Sequence, residues 1–519
     1  MGTAADAERV DVAVVGGGIT GLAAAHHLLE AERDRTRGHG RPLTVRVLEG
    51  GDRVGGAVAT ERTGDGFRIE RGPDTMLSDK PWGVGLAERL GIDDQLIETR
   101  KDIGGGGAYV VCRGRLERVP PGFNLMAPTD PVAFLRTPIL GPWGKLRAAA
   151  DLILPRGRAA RAGRPGDDAR NGDLDDESLA SFVRRRFGGE LLERLAQPLV
   201  GGIYGADPER LSLAATMPRF IEAERDHRSV ALGLRARRRE NAREGASGAR
   251  YGMFVSFADG MGTLPEALAA ALGDRVQTRV PVDRLRGDSD AGYTLELGGD
   301  RPRRLHARRL LVALPAHRAA SLLGDLDEDL AEALAAIPYG DAATVTFAWR
   351  RDEIPHPLDA YGFVVPSREG RALLASTWAS QKWPGRAPEG QVLIRAFLGG
   401  YAHPGFCRQD DDSLVDAARR ELGSLLGVTA APRLTRVQRW LEAMPQYEVG
   451  HRRRVDRIDR AAARHPALAL AGNAYRGVGI PDAIRDGERA ARAILDGLGT
   501  RGRSPRPVAA ASASAVSGG

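Results

Sequence analysis

Cysteine is nearly absent: Cys112 and Cys407 are the two in 519 residues. They stand in unrelated segments without metal-ligand spacing around them, which argues against a disulfide framework or a zinc site and fits a reducing cytoplasm. Lysine is scarce too, occurring at 80, 101, 145 and 382, so the 75 basic residues are almost all arginine. The 68 acidic residues are interspersed among them and the formal net charge is +7. Such a bias follows codon composition more readily than a binding surface, and no basic stripe marks a nucleic-acid partner. No apolar run reaches the roughly 18 residues that suggest a bilayer span. Residues 1–9 have no basic stretch leading into an apolar one, so no signal peptide is expected. What is present is 42% hydrophobic content, enough over this length to bury large cores in two or three domains.

Residues 10–15 read as a short buried strand. A glycine turn, Gly16-Gly17-Gly18-Ile19-Thr20-Gly21, leads from it into a helix over 22–29. A polar connection over 34–42 precedes a strand over 43–48, completing a strand–helix–strand unit. Helical spacing of Trp82, Leu86 and Leu90 predicts a helix over 79–90, and 108–116 reads as strand and turn around Arg113-Gly114. The Arg-, Gly-, Ala- and Asp-rich stretch 156–176 reads as an exposed or mobile loop, 178–195 as a helix, and 235–250 as a second polar interruption. Strand, turn and helix return over 254–272, and strands at 276–285, 293–297 and 309–314 are expected to rejoin the first sheet. Strands at 343–349, 362–365, 373–377 and 392–398 follow without helices between them, which predicts an antiparallel sheet. The tail from 502 onward, heavy in Ala, Ser, Gly and Pro, reads as disordered.

Gly16, Gly18 and Gly21 lie between a β-branched strand and an Ala/Leu helix, as a dinucleotide-binding turn requires. The first permits the tight turn, the second lets backbone approach a pyrophosphate, and the third lets helix pack on strand. The helix N-terminus adds favourable partial charge for the phosphates. Glu49, at the end of the second strand, can accept hydrogen bonds from an adenosine ribose and would repel a 2′-phosphate. It lies farther from the glycines than the usual spacing of about 20 residues, which the 34–42 insertion explains. Gly55 and Gly56 follow in Arg53-Val54-Gly55-Gly56.

That second glycine pair resembles flavoproteins of the monoamine-oxidase superfamily, in which it passes the cofactor diphosphate, and shifts the reading from NAD to FAD. An ordered series of motifs is similar to protoporphyrinogen oxidases of the soluble bacterial type, including coproporphyrinogen-oxidising members. The series comprises Glu70-Arg71-Gly72-Pro73-Asp74-Thr75, Pro198-Leu199-Val200-Gly201-Gly202-Ile203-Tyr204 with Asp207-Pro208-Glu209, and Gly260-Met261-Gly262-Thr263. It continues through Trp440, Met444-Pro445-Gln446-Tyr447 and Gly450-His451 to Tyr475-Arg476-Gly477-Val478-Gly479-Ile480-Pro481-Asp482.

The resemblance implies FAD contacts at Gly16 to Gly21, Glu49, Gly55, Gly56, Gly72, Pro73, Asp74, Thr75, Val282, Trp440, Val478, Gly479, Ile480 and Pro481. The helix opening at Asp482 would favour negative charge on the reduced flavin. It implies a porphyrinogen substrate, held at one propionate by Lys80, and molecular oxygen as acceptor. Six-electron oxidation to the porphyrin in heme biosynthesis is expected, with peroxide released and the product passed to a ferrochelatase. No obligate acid or base is nominated, because flavin and macrocycle supply the electronic chemistry. His26 and His27 read as packing or surface residues, His451 as a local hydrogen-bonding residue, and Asp207 with Glu209 as a capped turn.

The expected architecture is α/β. A discontinuous Rossmann-like FAD domain occupies 8–75, 250–315 and 430–498, and a substrate domain with an antiparallel sheet occupies 76–115 and 316–429. A helical subdomain spans 116–225 and a linker 226–249. Apolar residues Phe123, Leu125, Met126, Phe134, Leu135, Ile139, Leu140 and Trp143 near Arg136, Lys145 and Arg147 make peripheral membrane contact by a cytoplasmic protein one reading of that subdomain. Alternatives are another flavin amine oxidase, a carotenoid desaturase, and a flavin-free escort protein on the same scaffold. An amine oxidase calls for an aromatic cage that the sequence does not identify.

Overall fold

The structure, a computed structural model, describes residues 8–37, 42–103, 107–161, 176–243, 252–299 and 302–500. The Glu8–Val15 strand is buried from Val10 onward and ends at Gly16, whose φ is +108°. A side chain at Gly16 would lie 2.5 Å from the Ala313 carbonyl oxygen, and one at Gly21 would lie 1.9 Å from the Gly16 oxygen. The turn can therefore close only with glycine at both positions. Beyond it the Ile19–Arg37 helix runs farther than expected, taking in part of the stretch read as a polar connection. Residues 38–41 of that connection lie outside the described residues.

The first sheet orders its strands Val276–Gln277, Val45–Leu48, Glu8–Val15, Arg303–Val312, Gly292–Leu297 and Val282–Asp288, with Leu468–Leu470 also on Arg303–Val312. Pairing is parallel around Glu8–Val15 and antiparallel from Arg303–Val312 outward through Gly292–Leu297. Val12, Val14 and Val47 face a core shared with Leu22, Leu28, Leu268, Ile480 and Ile484, so the first and last long helices cover one face together. Ala13, Val15, Leu310 and Val312 pack on the other face against Ala319, Leu334 and Ile458. Each fully buried Leu, Ile or Val contributes about 1.5–3 kcal/mol, so both layers stabilise the sheet strongly. Met76, Leu86 and Ala87 belong to the first of these cores, so 76–90, read with the substrate side, packs on the nucleotide side.

The second sheet orders Leu434–Pro445, Tyr339–Arg350, Gln391–Gly399, Leu373–Trp378, Gly362–Val364, Tyr109–Cys112 and Arg115–Arg118. It is antiparallel except where Gly362–Val364 meets Tyr109–Cys112. The Leu434–Pro445 strand carries Trp440 into this sheet, although 430–445 was grouped with the nucleotide-binding segments. One face, with Val345, Phe347, Trp349, Ile394 and Leu398, packs on the Asp411–Leu426 helix. Strict alternation then sends Thr344, Thr346, Arg395, Phe397 and Thr377 to the opposite face.

Two helical expectations are corrected. The helix read over 178–195 is Leu179–Phe187, capped by the Ser178 hydroxyl, which accepts from the Ser181 amide. It breaks at Gly188 (φ +93°) and resumes through a π turn, Leu192–Ala196, into Gln197–Tyr204. Pro198 offers no N–H to the preceding turn, and the wider π winding accommodates it. The stretch read as a polar interruption and linker holds the Val230–Arg243 helix, anchored by buried Val230 and Leu234 near Pro218–His227. Within 156–176 one helical turn forms at Arg158–Arg161, while 162–175 and the tail from 501 onward lie outside the described residues.

Candidate active site

At the first glycine turn the Glu49 carboxylate accepts from the Gly17 amide at 2.8 Å and from the Gly51 amide at 2.7 Å. The acid expected to meet a ribose is thus held rigid by the turn it faces. Gly55 donates its amide to the Gly17 carbonyl at 2.8 Å, and Gly18 and Gly55 form an isolated parallel bridge. Both glycine motifs therefore make one surface. A Cβ on Gly18 would meet nothing within 4 Å, whereas one on Gly17 or Gly55 would collide. The half-exposed backbone of Gly18, at the N-terminal end of a long helix, fits a bound pyrophosphate. Val280 donates to the Glu49 carbonyl at 2.9 Å, bringing the 279–282 segment, and with it Val282, beside the same acid.

The Gly72 turn reaches this surface from the other side. A Cβ there would lie 1.9 Å from the Ala57 carbonyl oxygen, and Arg71 donates to the Ala59 carbonyl at 2.9 Å. Trp440 Nε1 donates to the Arg71 carbonyl at 2.9 Å and Arg395 Nη2 to that of Gly72 at 2.9 Å, so the second sheet grips the turn. Pro73 is exposed and Thr75 half-buried. Asp74, in contrast, points its buried carboxylate to Lys382 Nζ at 3.0 Å. Its side chain belongs to an ion pair, which leaves only its backbone for a cofactor.

The C-terminal run joins the same group. Pro481 lies 3.4 Å from the Cβ position of Gly83, and a Cβ on Gly487 would sit 2.4 Å from the Thr20 carbonyl oxygen. The Ile480–Thr500 helix thus starts next to the Ile19–Arg37 helix, with Val478 and Gly479 half-exposed ahead of it. Lys80 forms an ion pair with the buried Asp482 of that helix. Remote stretches of chain meet as the motifs required, but the cation nominated for a propionate already has a carboxylate partner.

Tyr447 organises the loop before Gly479, a role that motif reading missed. It is 2% exposed; its hydroxyl donates to the Asn473 carbonyl at 2.7 Å and accepts from the Gly477 amide at 2.8 Å. Its ring stacks on His451 at 3.8 Å, and His451 Nε2 donates to the Tyr475 carbonyl at 3.0 Å. Two side chains therefore hold residues 473, 475 and 477 from one side. Burial pushes His451 down to about 4, so it is neutral near pH 7, as befits a hydrogen-bonding residue. Asp207 Oδ1 accepts from the Glu209 amide at 2.9 Å, closing a capped turn.

Between the Gly72 turn and the helical region, the opposite face of the second sheet forms a floor. Ala348 and Leu393 cover one end with the Phe67 and Ile69 hairpin, and Val110 and Val364 join the helical core at the other. Half-exposed Phe397 and Thr377 lie between, and the Cβ position of Gly202 comes within 3.9 Å of Val364 and Ala375. Nearby, a cavity of about 310 Å³ is lined by Glu61, Glu70, Arg71, Thr344, Thr346 and Arg436, among others. Its charged lining suits water and ions better than an apolar macrocycle.

The model of the flavin containing amine oxidoreductase family matches residues 19–495. The chain is 33% identical to a coproporphyrinogen III oxidase of Bacillus subtilis (strain 168), with 92% of this chain and 96% of the relative covered. It is 34% identical to that of Propionibacterium freudenreichii subsp. freudenreichii, with 95% and 92% covered. A crystal structure of an Exiguobacterium sp. 255-15 protein assigned to the protoporphyrinogen oxidases superposes with a TM-score of 0.78 at 31% identity, covering 94% of this chain and 99% of that one. A glycine cradle joined to a C-terminal helix start, matched over nearly the whole length by such relatives, leads to one conclusion: the chain belongs to the flavin containing amine oxidoreductase family and uses FAD.

Proposed function

We propose that the protein oxidises a porphyrinogen to the porphyrin with oxygen as acceptor, and that coproporphyrinogen III is its preferred substrate. The observation carrying this reading is that coproporphyrinogen III oxidases at 33–34% identity align over more than nine-tenths of the chain, a span that includes the segments building the site. Bound FAD supplies a two-electron acceptor that oxygen can regenerate with release of peroxide. The chain holds the dinucleotide through the Gly16–Gly21 turn, Glu49, the Gly55-Gly56 pair, the Gly72 turn and the Val478–Pro481 backbone. The floor of Phe397 and Thr377 keeps water from the macrocycle, and Lys80 meets a propionate when it releases Asp482. Three rounds of hydride and proton loss complete the six-electron oxidation.

The test offers anaerobically prepared coproporphyrinogen III and protoporphyrinogen IX to the FAD-loaded enzyme and follows porphyrin fluorescence. Faster turnover of the first is expected. An enzyme that makes neither porphyrin yet releases peroxide from an amine or a carotenoid is not a porphyrinogen oxidase.

We also propose peripheral contact with an anionic membrane. Among the described residues no helix is long and apolar enough to cross a bilayer. Trp143, Ile153, Leu135 and Leu146 are nevertheless 81%, 73%, 64% and 63% exposed along one stretch of chain. Phe134, Met126, Ile139 and Leu140, read as part of that surface, are buried in the helical core instead.

A further inference from the structure

Behind the Gly72 turn lies a buried cluster whose charges do not cancel. Two buried carboxylates, Glu70 and Asp74, face the buried Arg386 and Arg395 and the half-buried Lys382. Lys382 pairs with Asp74 at 3.0 Å and Arg386 with Glu70 at 3.3 Å. The remaining Arg386 contacts run to Ser256 Oγ at 2.8 Å, the Phe257 carbonyl at 3.0 Å and the Ala258 carbonyl at 2.9 Å. Glu70 is further held by the Thr60 hydroxyl at 2.7 Å and the Met261 amide at 2.9 Å. Both acids are therefore committed.

Arg395 is left over. It is 2% exposed, and no carboxylate oxygen of the described residues lies within ion-pair distance of it. One amino group donates to the Gly72 carbonyl at 2.9 Å, the guanidinium lies 5.1 Å from the Phe397 ring centroid, and Nε has no partner. A guanidinium cannot shed its proton at any working pH, so the excess charge is permanent. A buried cation with a spare donor is unfavourable unless negative charge arrives near it.

We propose that Arg395 supplies the positive charge against which negative charge gathers when the flavin is reduced. This rests on the assignment of FAD to the Gly72 turn. A hydride leaving a substrate carbon carries two electrons and one proton to a neutral flavin, which becomes one unit more negative. The substrate's accompanying proton passes to solvent. Oxygen later takes that hydride and one solvent proton to become hydrogen peroxide. Arg395 holds the negative charge during the interval without itself exchanging a proton. Glu70 and Asp74 act on it only from a distance, because their carboxylates are engaged by Arg386 and Lys382.

The experiment measures the flavin reduction potential and the affinity for sulfite, which adds to flavins that have positive charge beside them, in FAD-loaded wild type, Arg395→Lys and Arg395→Met. The Met variant is expected to retain FAD but to have a lower potential and sulfite binding weakened by roughly tenfold or more; the Lys variant should recover much of both. A Met variant with wild-type potential and sulfite affinity overturns the proposal, as does one altered only in KM for porphyrinogen, which would make Arg395 a substrate anchor. Wild-type enzyme that loads FAD but binds no sulfite overturns it even if the Met variant cannot be purified. Wild-type protein that takes up no FAD at all refutes the flavin assignment, a distinct result.

Discussion

At the scale of single residues, Tyr447 has the clearest consequence. Tyr447→Phe removes the acceptor of the Gly477 amide and the donor to the Asn473 carbonyl while keeping the ring on His451. Buried groups left unpaired cost about 1–3 kcal/mol. A lower thermal midpoint and weaker FAD retention are expected together, whereas Tyr475→Phe, whose hydroxyl has no partner, should leave FAD retention unchanged. His451 gives a pH dependence of known sign. Its folded value of about 4 lies below the ordinary 6.5, so the unfolded chain binds the proton first as pH falls. The associated stability, on the order of 3 kcal/mol, is complete above pH 6.5 and is lost on descent toward pH 4. Denaturant titrations across that window should show a slope that His451→Gln reduces; an unchanged slope would mean that the imidazole titrates alike in the folded and the unfolded chain. For Lys80→Ala, KM for porphyrinogen should rise about tenfold with kcat nearly constant, the loss of one charge-assisted contact. Unchanged kinetics would remove Lys80 from the site. Residues whose constraint is local were readable from sequence: Gly16 and Gly21 must be glycine because of a turn six residues long. Arg395 was not, although a charge inside Gln391–Gly399 interrupts an otherwise apolar strand, because its meaning depends on which carboxylates lie opposite.

Among the secondary-structure elements, period-2 alternation exposed the strands of the second sheet, and strand, turn and helix exposed the nucleotide unit. What sequence missed was continuity. Polar composition suggested loops at 34–42 and 235–250, yet long helices enter both stretches because packing on one face outweighs weak local preference. The Pro142–Ala149 helix and the turn after it carry a functional expectation of the same kind. Lys145 Nζ donates to the Leu135 carbonyl at 2.7 Å, and Arg147 donates to the carbonyls of Arg184, Arg185 and Arg186. Two of the three cations expected near the apolar surface therefore serve the backbone, which leaves Arg136 exposed beside it. Membrane attraction should accordingly come more from Trp143 and Ile153 than from charge. Flotation with vesicles containing anionic lipid should recover wild type and lose most of a Trp143→Glu/Ile153→Glu variant, whose exposed positions leave the fold and porphyrinogen turnover intact. Equal flotation of both would remove the proposed contact.

Across the whole molecule, the domain boundaries drawn from sequence were the least legible feature, because the chain crosses between the two sheets at the proposed flavin site. Leu434–Pro445 completes the second sheet, and a few residues later Tyr447 and His451 brace the loop leading to Gly479. Arg395 and Trp440 reach from the second sheet to the Gly72 turn, Lys382 pairs with Asp74, and Lys80 pairs with the start of the last helix. A ligand seated among these contacts touches or braces both sheets at once. FAD should therefore stabilise the protein as one unit: at free FAD about 100 times its dissociation constant, mass action adds about 2.7 kcal/mol to the native state. Calorimetry of FAD-depleted and FAD-loaded protein is expected to show a single transition that moves to higher temperature on loading. If instead the cofactor shifts one transition and leaves a second in place, the second sheet folds independently of the flavin, and the contacts from Arg395 and Trp440 do not couple it to the cofactor.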